Sequence, residues 1–244
     1  MATIKTIIID DERLARSELR KMLQDFSDIE VIDEAANVDE GIEKIETLHP
    51  DLIFLDIQMP GKTGFDLLEQ LEKAPHVIFT TAYDEYALKA FEVNALDYLL
   101  KPVEPKRLTD AIHKLHDELQ KQYGANGAHI RGPLSEHDQV FVKDGERCWF
   151  VKLNEIRLFE SVGNYAKVFF GTNKPLILKS LNALEERLDT KVFFRANRKH
   201  IINLRWIEKV EPYFNGGLLL ELKGGEKIEV SRRQTVKFKE MMSL

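Results

Sequence analysis

The sequence predicts two domains of different class. The first is an α/β domain on a doubly wound, five-stranded parallel sheet, and the second is a mainly β module. Three observations predict this. In residues 1–123, short β-branched apolar runs alternate with stretches of helical periodicity. From residue 138 onward, short strand-like runs between Gly and Asn turns replace that alternation. Between the two, QYGANGAHIRGPLSEHD holds Gly124, Gly127, Gly132 and Pro133 without apolar periodicity and reads as a linker. The expected division is 1–123, a linker at 124–137, and 138–244.

Each unit of the first domain can be justified in turn. Lys5–Ile9 is a β-branched run, and the next helix sets Ala15, Leu19, Met22, Leu23 and Phe26 at i, i+4, i+7, i+8 and i+11. Ile29–Ala36 is a second strand, before a helix with Val38, Ile42 and Ile45 on one face. Leu52–Leu55 precedes a helix around Phe65, Leu68 and Leu71. His76–Thr80 precedes a helix across Tyr86, Ala90 and Phe91. Leu96–Leu100 is the fifth strand, and a helix from Pro105 aligns Leu108, Ile112, Leu115 and Leu119. Continuously apolar strands fit a parallel sheet covered on both faces.

In the second domain, Val140–Val142, Cys148–Val151, Ile156–Phe159, Ala166–Phe170 and Leu176–Leu178 read as strands. SLNALEERL (180–188) reads as a helix capped by Ser180, with Leu181, Leu184 and Leu188 aligned. Hairpins through Asn215-Gly216-Gly217 and Gly224-Gly225 follow, and a short helix begins near Arg232.

Composition narrows the function classes. No run of about 18 apolar residues could span a bilayer, and the first ten residues meet charge too soon for a secretory signal. The single cysteine, Cys148, excludes an internal disulfide framework and reads as a small buried apolar residue, so a cytoplasmic location is expected. The net charge of -6 conceals a split: residues 1–123 carry 26 Asp+Glu against 14 Lys+Arg, residues 124–244 carry 15 against 21. A basic half suggests a polyanionic partner.

Ligands of open α/β sheets bind beyond the carboxyl ends of the strands. Those ends carry Asp10-Asp11, Asp56, Thr80-Thr81-Ala82 and Lys101-Pro102. Singly, Asp11 or Thr81 could cap a helix and Lys101 could be a solvated turn residue. Together, three carboxylates at one edge call for a hard cation such as Mg²⁺. A carboxylate beside such an ion can accept a phosphoryl group as an acyl phosphate, with Lys101 pairing the phosphoryl oxygens and Thr81 donating to one. An Asp-nucleophile phosphatase is the enzymatic rival. Phosphatases of the haloacid dehalogenase type want an acid two residues after the nucleophile, where this chain has Gln58.

The set Asp10-Asp11, D-x-x-M-P-G at Asp56–Gly61, Thr81-Ala82 and Lys101-Pro102 resembles a response-regulator receiver domain, over residues 1 to about 123. The resemblance implies a flavodoxin-like fold, Asp56 as phosphoacceptor, and Mg²⁺ held by Asp10, Asp11, Asp56 and the main-chain carbonyl of Gln58. It further implies Thr81 and Lys101 as phosphate contacts, Tyr98 as a switch aromatic, and a sensor histidine kinase as partner. The face formed by residues 84–93, the fifth strand and the following helix is expected to report the state, through homodimerisation.

Positive charge in the second half gathers in FFRANRKHIINLRW (193–206) and VSRRQTVKFK (230–239). Arg and Lys suit phosphates, while Arg, Asn and Gln suit base edges. A solvated basic surface, a docking face for the chain's own acidic half, or an adaptor that binds protein or RNA would share that composition. RLFESVGNYAKV, FFRANRKHIINLRWIEKV and LELKGGEKIEVSRRQ, in this order, are similar to the LytTR DNA-binding domain. This resemblance implies a mostly β fold that reaches double-stranded DNA, in repeated half-sites, through loops. Its implied contacts are Asn164, Tyr165 and Lys167; Asn197, Arg198, Lys199 and His200; and Arg232 and Arg233. Arg198 and Arg233 are expected on bases, Lys167 and Arg195 on phosphates. The whole reads as a phosphorylation-controlled transcription factor rather than an enzyme acting on an outside substrate.

Overall fold

The computed structural model describes residues 3–82, 95–123, 134–145 and 147–242, apart from the side chains of 121–123 and 215. The chain divides into two compact units. One takes residues 1–129 with Gln139–Phe141 and Arg147–Phe150; the other takes Ile130–Asp138, Val142–Glu146 and Val151–Leu244. The helix expected across Tyr86, Ala90 and Phe91, most of the expected linker, and the 84–93 part of the reporting face lie outside the described residues.

In the first unit, strands β1 (Ile4–Ile9), β2 (Ile29–Ala35), β3 (Leu52–Asp56), β4 (His76–Thr81) and β5 (Asp97–Leu100) form one parallel sheet in the order β2-β1-β3-β4-β5. Successive residues point to opposite faces and both faces are covered, which is why every position of β3 is buried. Ile8, Phe54 and Ile78 pack with Leu19 and Leu23 of helix α1 (Arg13–Leu23) and with Leu108, Ile112 and Leu115 of a helix over Pro105–Tyr123. Ile7, Ile9, Ile53, Leu55 and Phe79 pack on the other face with α2 (Val38–Leu48) and α3 (Gly64–Gln70), and Phe150 joins that layer. The Pro105–Tyr123 helix is α4 below.

Local signals start and stop these helices. Asn37 caps α2 by accepting from the Glu40 amide at 2.9 Å, and His49 ends it in the left-handed region, φ 48°. Thr63 and Asp66 form a reciprocal capping box on α3. The strand order reverses between β1 and β3, so the ends of those two strands flank a topological switch point.

A two-stranded hairpin, β6 (Gln139–Asp144) and β7 (Arg147–Lys152), contributes strand segments to both units. Beyond it, β8 (Ile156–Val162), β9 (Tyr165–Phe170), β10 (Leu176–Ile177), β11 (Phe193–Arg195) and β12 (His200–Asn203) form an antiparallel sheet ordered β10-β9-β8-β12-β11. A second sheet runs β13 (Ile207–Tyr213), β14 (Gly217–Leu222), β15 (Lys227–Val230). Two helices, α5 (Leu181–Glu185) and α6 (Arg232–Met242), complete the unit. Phe238 of α6 is fully buried among Leu158, Phe194, Ile202, Leu220 and Val230, so one aromatic ring joins residues of both sheets.

Two differences from the sequence reading stand out. Residues 193–206 read as a basic segment, yet β11 and β12 run through it. Their apolar pairs Phe193-Phe194 and Ile201-Ile202 are too short to show a period, and the pairing of β11 with β12, and of β12 with β8, makes them strands. Helix α5 stops at Glu185, earlier than the expected 188. Ser180 caps it as expected, accepting from the Ala183 amide at 3.1 Å, and Leu188 is buried although it lies beyond the helix.

Candidate metal centre and nucleic-acid interface

A carboxylate at the end of a fully apolar strand needs compensation, because desolvating a charge is costly. Asp56 closes β3 and is 4% exposed, and Asp10, directly after β1, is 3% exposed. One carboxylate oxygen from each of Asp10, Asp11 and Asp56 lies within 4.8 Å of the others, the only such group among the described residues. Lys101, after β5, places Nζ 2.7 Å from Asp10 Oδ2 and 2.8 Å from Asp56 Oδ2. Its backbone amide donates to the Thr81 carbonyl at 2.8 Å, which fixes the ends of β4 and β5 together. The Lys101–Pro102 peptide is cis.

The balance of charge is uneven. Burial pushes the Asp56 carboxyl above its ordinary range, and the Lys101 hydrogen bond only partly opposes this. Burial acts to lower the Lys101 ammonium, but Asp10 and Asp56 outweigh it and hold it above its usual value. One cation among three carboxylates leaves negative charge in excess, and a divalent ion with oxygen ligands would relieve it. The Thr81 hydroxyl is fully buried and has no hydrogen-bond partner among the described residues, so it keeps a donor in reserve. Tyr98 is buried within β5, paired in register with Phe79.

The turn after Asp56 is built to stay out of the way. Gly61 takes φ 81°, a conformation that disfavours side chains, and Gln58 is exposed. The Gln58 amide donates to Asp56 Oδ1 at 3.1 Å. Gly64 lets α3 approach: a Cβ there would sit 2.4 Å from the Asp56 carbonyl oxygen.

In the second unit, three segments distant in sequence are brought together by main-chain bonds. The Ser231 amide donates to the Ala196 carbonyl at 3.0 Å, and the Ser161 amide to the Lys199 carbonyl at 2.8 Å. An open depression of ≈ 970 Å³ lies over this junction, lined by Arg195, Arg198, Lys199, Arg233 and Lys237 among others. Along the sheet, Glu160 stands in register between Lys167 and His200, at 3.7 Å and 3.9 Å. Burial pushes the His200 imidazole below its ordinary value, and Glu160 pulls the other way.

Of the expected contact residues, Lys167 and His200 are half-buried beside Glu160, and the other eight fall into two groups. Asn164, Tyr165, Arg198, Lys199, Arg232 and Arg233 are exposed. Arg195 and Asn197 are instead committed within the protein. Arg195 Nε donates to the Asn197 carbonyl at 2.7 Å, Nη2 to the Arg198 carbonyl at 2.9 Å, and Nη1 to Glu185 at 3.3 Å. The Asn197 side chain donates to the Glu229 carbonyl at 2.6 Å and accepts from the Lys199 amide at 2.8 Å. These two residues shape the loop that displays Arg198 and Lys199.

Family models match both halves: a response regulator receiver domain over residues 6–113 and a LytTr DNA-binding domain over residues 146–243. Sensory transduction protein LytT of Enterococcus faecalis is 36% identical over 241 residues, 98% of this chain and 98% of that one. The chain belongs to the LytT/LytR response regulators. Transcriptional regulatory protein BtsR of Salmonella typhi is 35% identical over 250 residues, covering 99% of this chain and all of that relative. Among solved structures, the receiver domain of AraT, a response regulator from Geobacillus stearothermophilus, is 34% identical, with a TM-score of 0.44 over 49% of this chain and 98% of that one. A LytTr DNA-binding domain from Bacillus cereus is 22% identical, with a TM-score of 0.41 over 43% of this chain and 97% of that one.

For this response regulator, receiver and DNA-binding domains in one chain imply phosphorylation-controlled DNA binding. The output of its family is DNA binding. No described helix is long and apolar enough to cross a membrane. Sequence reasoning did not single out Gly64, Arg195 as a loop brace, or Glu160 as the acid between Lys167 and His200. Gly64 acts on a main-chain atom eight residues earlier, which no motif spacing reports.

Proposed function

We propose that Asp56 accepts a phosphoryl group from a sensor histidine kinase, and that this shifts the first domain to a dimerising state that promotes binding of the second to repeated half-sites on double-stranded DNA. The observation that carries the first part is the pairing of one lysine with two buried carboxylates beside an orphaned buried hydroxyl. The all-oxygen donor set fits Mg²⁺: Asp10, Asp11, Asp56 and the Gln58 carbonyl would hold it, and exposed Asp11 leaves room for waters. When bound, Mg²⁺ neutralises charge on the transferred group.

The chain's own residues do the rest. Asp56 supplies the carboxylate oxygen that bonds to phosphorus as the bond to the donor breaks. The Gln58 amide orients that carboxylate. Lys101 pairs with the new phosphoryl oxygens, and Thr81 donates its free hydroxyl to one. Phosphorylation adds only about one net charge to an already ionised Asp56. The signal therefore lies in where Thr81 and Lys101 settle, which favours one of two conformers.

On the DNA side, the exposed Arg198 and Arg233 are the base readers, with Lys199, Arg232 and Lys167 toward phosphates. Asn164 and Tyr165 at the β8–β9 turn and His200 beside Lys167 complete the contact set. The test is selection of sites from a random duplex pool by the full chain at one salt concentration, with Mg²⁺ and with or without a small phosphodonor. A repeated motif, enriched more strongly with the donor and insensitive to it in Asp56→Ala, is the expected result. No enrichment in either condition would remove the DNA reading.

A further inference from the structure

Arg16 lies on α1 with its side chain 13% exposed, behind the acidic cluster. Its Nη1 donates to the Asp10 carbonyl at 2.7 Å, and its Nε to Glu34 Oε2 at 3.1 Å. Glu34, on β2, also accepts from Arg20, one turn further along α1, through its other oxygen. Its carboxylate is held below the usual range: burial acts against this, but the two arginines overcome it. Glu34 is thus a fixed anion that neutralises and aims the guanidinium.

Three bonds fix the chain around the peptide between Asp10 and Asp11, one of them on the peptide itself. The Asp10 amide donates to the Ala35 carbonyl at 3.0 Å, Asp10 Oδ1 accepts from the Glu12 amide at 2.9 Å, and Arg16 holds the carbonyl. Two of the three clustered carboxylates hang from that peptide. Groups that orient metal ligands from behind matter nearly as much as the ligands themselves.

We propose that Arg16 is a positioning residue for a divalent cation, holding the Asp10–Asp11 peptide so that its carboxylates meet Asp56, with Glu34 offsetting part of the charge that would otherwise repel the ion. The proposal rests on reading the acidic cluster as a Mg²⁺ centre. A plain salt bridge pinning α1 to the sheet would use the same atoms, so the test must separate affinity from stability. Lysine at this position keeps the charge and can pair with Glu34, but a single ammonium lacks the planar fork that reaches two acceptors.

Mg²⁺ is titrated calorimetrically into the full-length wild type, Arg16→Lys and Glu34→Gln at fixed ionic strength, and Tm is measured separately in chelator. Arg16→Lys is expected to raise the Mg²⁺ Kd about tenfold while the metal-free Tm moves little. Glu34→Gln, which frees the fork and leaves its charge uncompensated, is expected to raise Kd as well. Mg²⁺ affinity within about twofold of wild type in both variants would overturn the proposal, whatever happens to Tm. A wild type that binds no Mg²⁺ would instead overturn the metal reading on which it stands.

Discussion

At the scale of single residues, His200 shows how burial tunes a titratable side chain. Its side chain is one-fifth exposed, its Nδ1 lies 3.1 Å from Asn197 Oδ1, and burial holds its folded-state pKa below the ordinary 6.5. A proton therefore prefers the unfolded chain. The stability His200 contributes is full above pH 6.5 and declines as the pH falls from there through the folded value. The expected outcome is an NMR titration midpoint below 6.5 and a fall of Tm on acidification that is shallower in His200→Gln. Equal slopes for the two proteins would show that other groups govern that range. The same scale shows what a sequence can disclose. Asp10, Asp56 and Lys101 were legible because a charge at the end of an apolar strand contradicts its surroundings. The bracing roles of Arg195, Asn197 and Arg16 were not legible, because each rests in part on a main-chain carbonyl, which leaves no mark in the amino-acid code.

Among elements, the second unit depends on an ion pair that closes a turn. Arg157 of β8, 7% exposed in its side chain, reaches Glu226 Oε1 at 2.8 Å from both Nε and Nη2, and the Gly171 carbonyl at 2.8 Å from Nη1. It ties the β14–β15 turn to the larger sheet. Removing one partner of a buried pair strands the other, so Arg157→Ala is expected to cost about 3–5 kcal/mol. Urea unfolding followed through Trp206 checks this; a loss under about 1 kcal/mol would mark the pair as dispensable, in the range of a surface ion pair. Strands β1, β3 and β4 were readable from the apolar runs Ile7–Ile9, Leu52–Leu55 and Val77–Phe79, and the hairpin strands because Gly-rich turns separate them. β11 and β12 escaped because their three and four residues gain strand geometry from their neighbours, not from their own pattern.

For the whole molecule, function needs a ligand-sensitive half and a polyanion-binding half, and the charge split from 26 acids against 14 bases to 15 against 21 follows that division. Mg²⁺ binding to the native state alone should stabilise it by mass action, about 2.7 kcal/mol at a hundredfold excess over Kd. The expected outcome is a Mg²⁺-dependent rise of Tm that disappears in Asp10→Ala; a rise of equal size in that variant would place the ion elsewhere. The buried ring of Phe238 carries a different consequence, one of timing. A ribosome makes strands β8 to β15 before it makes the aromatic side chain that fills the space among them. A nascent chain can thus close its first sheet and its acidic edge while the later unit still lacks its keystone.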